Sequence, residues 1–70
     1  MIRDPVVSSN INSAGYDDAS QVLEIEFKNG SIYQYYAVAK EIYIGLLAAT
    51  SVGSYFHSHV KNDYECKKIK

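Results

Sequence analysis

From Leu23 to Phe27 apolar and charged residues alternate strictly, with Leu23, Ile25 and Phe27 on one side and Glu24 and Glu26 on the other. A period of two with one polar face predicts a half-buried strand over Gln21–Phe27. Asn29-Gly30 follows, a pair that tolerates positive φ and favours a tight hairpin. Ser31 to Val38 then returns as the partner strand. Two registers are open. A two-residue Asn29-Gly30 turn pairs Lys28 with Ser31 and sets Ile32, Gln34 and Tyr36 beside Leu23, Ile25 and Phe27. A type I turn at Lys28-Asn29 with Gly30 as a bulge pairs Phe27 with Ser31 and sets Tyr33 and Tyr35 on the face of Ile25 and Leu23. The second is preferred, because it leaves Gln34 among the glutamates and out of the core.

Upstream, Ile11–Tyr16 is a plausible strand of mixed propensity, with Gly15 marking a bulge or a close backbone approach. Asp17-Asp18-Ala19-Ser20 reads as a turn. Downstream the period changes. In Lys40–Thr50, Ile42, Tyr43, Leu46 and Leu47 form one helical stripe, with Gly45 allowing a close approach to the sheet. Ser51–Val60 starts a second helix, capped by Thr50 or Ser51, whose buried stripe is Tyr55, Phe56, His59 and Val60. Lys61–Lys70 packs through Tyr64 and Ile69 or frays. The expected fold is α+β: a three-stranded antiparallel meander sheet with two short helices packed on one face.

At 70 residues and 47% hydrophobic content the chain makes one domain with one core, spanning 1–70 with its core at about 6–65. No apolar run approaches the roughly 20 residues that cross a bilayer. Met1–Pro5 lacks the hydrophobic stretch of a signal peptide. No membrane association and a cytosolic, reducing location are expected. Cys66 is the single cysteine, so neither an internal disulfide nor a cysteine zinc site can form within one chain. It is expected to be inert or partly exposed.

The net charge of −1 argues against a generic polyanion binder. The charge is uneven, however. Up to Val60, Arg3, Lys28 and Lys40 face six carboxylates, whereas 61–70 holds Lys61, Lys67, Lys68 and Lys70 against Asp63 and Glu65. That basic tail is a hint of a nucleic-acid or acidic partner, or simply a solubilising terminus.

Catalytic groupings are missing. His57 and His59, two residues apart, lie about 200° apart and cannot share one metal from a regular helix, though they could if the helix ended there. Glu24 and Glu26 read as a solvated strand face and not as an acid–base pair. Ser8-Ser9 has no base to activate it, and Ser51-Val52-Gly53-Ser54 is no phosphate loop. No enzyme activity, metal or cofactor is expected. What remains is seven tyrosines, whose apolar rings and polar tips suit wet edges, binding surfaces and base stacking as well as a small core.

With these residues in place, the chain resembles the KTSC domain family, a small module named from the C-terminus of some lysyl-tRNA synthetases. The likeness runs from Val7 to Lys68. It rests on Ser8-Ser9-Asn10-Ile11, Gly15-Tyr16-Asp17, Leu23–Phe27 with Gly30, the Tyr33-Gln34-Tyr35 motif with Val38, and Tyr43, Leu46, Ala49, Ser51, Gly53, Tyr55, Phe56, Val60, Lys61 and Tyr64. Ala39 stands where the family usually has proline, which makes entry into the first helix less rigid. Tyr64-Glu65-Cys66 replaces an aromatic-proline-aromatic ending. The resemblance implies a stand-alone bacterial or phage-type module, with RNA binding the expectation raised by the synthetase attachment.

Two readings follow. In the first, a non-catalytic module binds single-stranded or structured RNA. Lys61, Lys67 and Lys68 meet phosphates, Tyr36 or Tyr64 stacks on bases, and Tyr33, Tyr35 and His59 complete the candidate set. In the second it binds a protein or sequesters a ligand, or self-associates, through an edge made by Tyr16, Tyr36 and the first strand.

Overall fold

The computed structural model describes residues 1–70, in the order β1 (Asp4–Pro5), β2 (Ile11–Asp17), β3 (Val22–Phe27), β4 (Ile32–Tyr35), α1 (Lys40–Ala48), α2 (Val52–His59) and β5 (Cys66–Lys68). The class is α+β, but the sheet has five antiparallel strands in the order β1-β2-β3-β4-β5, not three. The two extra strands are short and fully exposed. Neither carries the apolar alternation that announces a half-buried strand. Asp4-Pro5 and Cys66-Lys67-Lys68 join the sheet through backbone pairing alone.

The hairpin takes the bulged register. Leu23 faces Tyr35 and Ile25 faces Tyr33. The Phe27 N–H donates to the Ser31 carbonyl at 2.8 Å and the Gly30 N–H to the Phe27 carbonyl at 2.9 Å. Gly30 has φ +92°, a conformation a side chain resists. In β2 a bulge between Ile11 and Ser13 resets the alternation. Ile11 and Ala14 can therefore both be fully buried although three residues apart, which is why that segment shows no clean period.

The helices cover the face of Ile11, Ala14, Leu23, Ile25 and Tyr35, and contribute Leu46, Val52, Phe56 and Val60 to the core. Ser51 caps α2 by accepting from the Ser54 N–H at 3.3 Å. The predicted stripes shift slightly. Leu47 is exposed, and His59 lies outside the core against the Tyr55 ring, with Val52 in its place. Gly45 serves the helix pair and not the sheet, since a Cβ there would collide with the Tyr55 hydroxyl. Ala39 offers α1 no side-chain cap. Its entry is held instead by the Val38 N–H donating to Gln21 at 2.9 Å and by the Tyr16 hydroxyl donating to the Val38 carbonyl. The Tyr16 ring stacks on Tyr43 at 5.4 Å. The edge expected from Tyr16 and the first strand is thus closed, because the tyrosine tip is engaged and β1 pairs with β2.

The far face of the sheet is not a freely solvated row of glutamates. Glu24 is buried to 5% exposure. It accepts from Gln34 at 2.9 Å and pairs with Arg3. Arg3 also donates to the Ser13 hydroxyl at 3.0 Å, which donates in turn to Glu26 at 2.9 Å. The Tyr36 hydroxyl donates to Gln34 at 3.2 Å. Gly15 admits the Ile2–Arg3 backbone, which a Cβ would block.

Burial alone would raise the Glu24 pKa, but the hydrogen bonds from Gln34 and Arg3 and the guanidinium charge outweigh it and hold the carboxyl below its ordinary value. Hydrogen bonds from Ser13 and Asn12 lower Glu26 as well. Folded pKa values below the unfolded ones mean stability that is present above the ordinary carboxylate range and lost as pH falls through the depressed values. Melting temperature should therefore hold from neutral pH to about 5 and fall below about 4. Glu24→Gln should give a shallower acid limb. Arg3→Ala, which strands a buried carboxylate, should cost about 1–3 kcal/mol in urea unfolding at neutral pH.

Candidate functional site

The loop Val7–Asn10 is the pivot of the helix-covered side. The Ser8 hydroxyl donates to Asn10 Oδ1 at 3.1 Å, and the Lys28 N–H donates to the Asn10 carbonyl at 2.9 Å, fixing the loop to the hairpin turn. On its other flank lies the first turn of α2. A Cβ on Gly53 would sit 3.0 Å from Asn10 Oδ1 and 3.4 Å from Ser8 Oγ, so the glycine gives the loop room.

Three concave surfaces meet at Asn10. One, of about 480 Å³, runs between α2 and the hairpin and includes Phe27, Tyr33, Tyr35, His57, Lys61 and Cys66. Its floor is aromatic. Phe27 meets Tyr33 edge-on at 5.7 Å and Phe56 at 5.5 Å, and Tyr35 meets Phe56 at 5.4 Å. Asn10, Asn29, Asn62 and Ser31 add amides and a hydroxyl to its wall. A second groove, of about 530 Å³, lies between Val7–Asn10 and the Thr50–Ser58 stretch. The third, of about 350 Å³, is bounded by Ser9, Asn10, Phe27, Lys28 and Asn29.

No aspartate or glutamate lines any of these three surfaces, whereas Lys28 and Lys61 do. Glu24 and Glu26 are held on the far face of the sheet. Asp17 bonds Ser20 and Asp18 bonds Lys40 near the β2–β3 turn. A chain of net charge −1 thus presents one concave surface with no carboxylate in its lining, Asp63 and Glu65 standing next in sequence to its Asn62 and Cys66.

The sequence candidates divide between the two faces. Tyr33, Tyr35 and Lys61 line the aromatic groove. Lys68 is registered opposite Tyr33 and shares its face. Lys67 is opposite Gln34, so it and Tyr36 belong to the far face. Tyr64 packs against the core. The His59 ring lies tilted at 39° against Tyr55, 4.4 Å between centroids, and lines no groove, while His57 lines two. No three histidine, cysteine or carboxylate side chains converge as metal ligands would. Cys66 is exposed at the groove wall. Sequence reasoning missed Phe27 as a wall and all three asparagines. The available signal was Gly53, whose need for space marks where the Ser-Ser-Asn loop docks.

The family model for the KTSC domain matches residues 7–64. A protein of Tsukamurella paurometabola is 47% identical over 57 residues, covering 81% of this chain and 85% of the relative. A lysine–tRNA ligase of Nostoc is 34% identical over 61 residues, covering 87% of this chain but 11% of that enzyme. The crystal structure of a KTSC domain protein from Yersinia pestis superimposes with TM-score 0.93 at 38% identity, covering 99% of this chain and 97% of that one.

Burial pushes the Tyr35 phenol up to about 12, with Cys66 and Tyr33 adding to the shift. Burial also raises Tyr16, helped by Asp18 and Glu41, and Tyr43, helped by Asp4. A raised folded pKa contributes stability that is complete below the ordinary tyrosine value and lost as pH climbs through the folded one. In an ultraviolet titration of the seven tyrosines, these three should ionise last, and Tyr35→Phe should remove the latest step.

Proposed function

Since the chain belongs to the KTSC domain family, we propose that it is a non-catalytic module that binds single-stranded RNA in the groove between α2 and the β3–β4 hairpin. The observation carrying this reading is the carboxylate-free surface with Lys28 and Lys61 on it. Local charge, not net charge, decides whether a phosphate can approach within a Debye length of about 8 Å. Lys28, Lys61 and Lys68 supply phosphate contacts. The half-buried rings of Phe27 and Tyr33 offer faces on which an unpaired base can stack, and stacking tolerates any base. Asparagine amides carry both donor and acceptor, so Asn10, Asn29 and Asn62 suit base edges. The lysine–tRNA ligase relative, in which a segment like this one accounts for 11% of the protein, supports an RNA context. A hydrolytic reading has less support, because Ser8 donates to Asn10 and not to a base.

A second reading, a protein partner or self-association, draws on Ile44 and Leu47. They are 54% and 43% exposed on one side of α1, a spacing that makes a small apolar patch.

Fluorescence anisotropy with a labelled octanucleotide separates the two. Binding should be strongest at low salt and weaken as salt rises. Lys61→Ala should reduce the logarithmic salt slope by about 0.7, and Tyr33→Ala should weaken binding by about 1–3 kcal/mol with the slope unchanged. A flat titration at low salt sinks the RNA reading. A Leu47→Ser variant that dissociates a dimer seen by light scattering would favour the second.

A further inference from the structure

We infer that the bound strand does not end in the aromatic groove but passes over the Asn10–Gly53 contact into the neighbouring hydroxyl-lined groove, which holds its sugar–phosphate backbone. This rests on the RNA reading above. The two grooves share Asn10, Gly53 and His57, so they lie side by side, and a strand leaving the first meets the second across that boundary. Each, at about 480 and 530 Å³, is large enough for a small ligand of the kind that fills pockets of roughly 300–1,000 Å³.

Their linings differ in a way that assigns parts of a nucleotide. The first has aromatic rings and side-chain amides, which stack on and read bases. The second has no phenylalanine or tyrosine, two apolar residues and otherwise hydroxyls, Asn10, Gly53 and the imidazole of His57, which it shares with the first. Hydroxyl and amide donors are the ordinary partners of phosphate and sugar oxygens. Ser9, Thr50, His57 and Ser58 are exposed. Their side chains take no part in the hydrogen bonds that fix the adjacent loop and cap, which involve Ser8, Asn10, Ser51 and Ser54. Those four groups are free to meet a ligand. No carboxylate lies along the trough to repel a phosphate. Gly53 stands at the boundary, where the absence of a side chain lets Asn10 and Ser8 pack close against α2 and keeps the ridge between the two halves low.

The test compares a labelled dinucleotide and a labelled octanucleotide on the full chain. Ser58→Glu places a carboxylate in the second groove only, at an exposed site, and Ser58→Gln controls for size. Thr50→Glu is the alternative should Ser58→Glu fail to fold by circular dichroism. Octanucleotide affinity should fall about five- to tenfold in the glutamate variant, the cost of one like charge near a phosphate. Dinucleotide affinity and the glutamine variant should stay within about twofold. If both oligonucleotides bind and the octanucleotide ignores the carboxylate, or if both weaken equally, the continuous trough is wrong while the RNA reading stands. If wild-type protein binds neither, the RNA reading itself has failed and the trough with it.

Discussion

The register of the β3–β4 hairpin governs everything else in this molecule. Pairing Leu23 with Tyr35 and Ile25 with Tyr33 sends two tyrosines under the helices and two polar residues, Glu24 and Gln34, to the opposite side. A slip of one residue would exchange those sets, burying an amide in the core and exposing the aromatic floor. The positive φ of Gly30 and the bulge it permits choose between the two outcomes. The aromatic groove is therefore a consequence of turn geometry before it is a matter of side-chain identity.

The other side of the sheet shows how a small domain handles charge that its pattern places on a strand. Arg3 lies over Glu24 and bonds Ser13, while Gln34 and Tyr36 extend the network from the other flank. The glutamates thereby become part of the fold. Drawing them to that face also keeps Glu24 and Glu26 out of the lining of the grooves on the helix side, so the polar network and the candidate site are linked by one segregation of charge.

The centre of the architecture was legible in the chain, and its margins were not. The alternation of Leu23–Phe27, the Asn29-Gly30 turn and the switch to helical spacing are local signals, and they led to the right hairpin, the right helices and the Ser51 cap. The β2 bulge obscured a strand by breaking its period. The strands at Asp4–Pro5 and Cys66–Lys68 were invisible because edge pairing uses backbone groups that any sequence possesses. The site was half legible. Tyr33, Tyr35 and Lys61 were found because aromatic and basic residues attract notice, whereas Asn10, Asn29 and Asn62 come together only through tertiary packing. The alternation that sends Tyr35 to the groove sends Tyr36, with Lys67 beside Gln34, to the far face. Membership of the KTSC domain family was carried by the spacing of many modest signals and not by one motif.

The return of β5 to β4 has an implication for how the domain moves. Strands β2 to β4 each zip to the strand before them, but β5 pairs only after the chain has traversed both helices. It is held by a short ladder with the flanking bonds of Glu65, Ile69 and Lys70. A strand so joined is a natural unit of local unfolding, opening below the free energy of global denaturation. Cys66 in the groove wall and Lys68 beside Tyr33 would leave with it. The shape of the concave surface is thus tied to a short edge seam of the sheet, so breathing at that seam would alter the mouth of the groove while the hydrophobic centre stays intact.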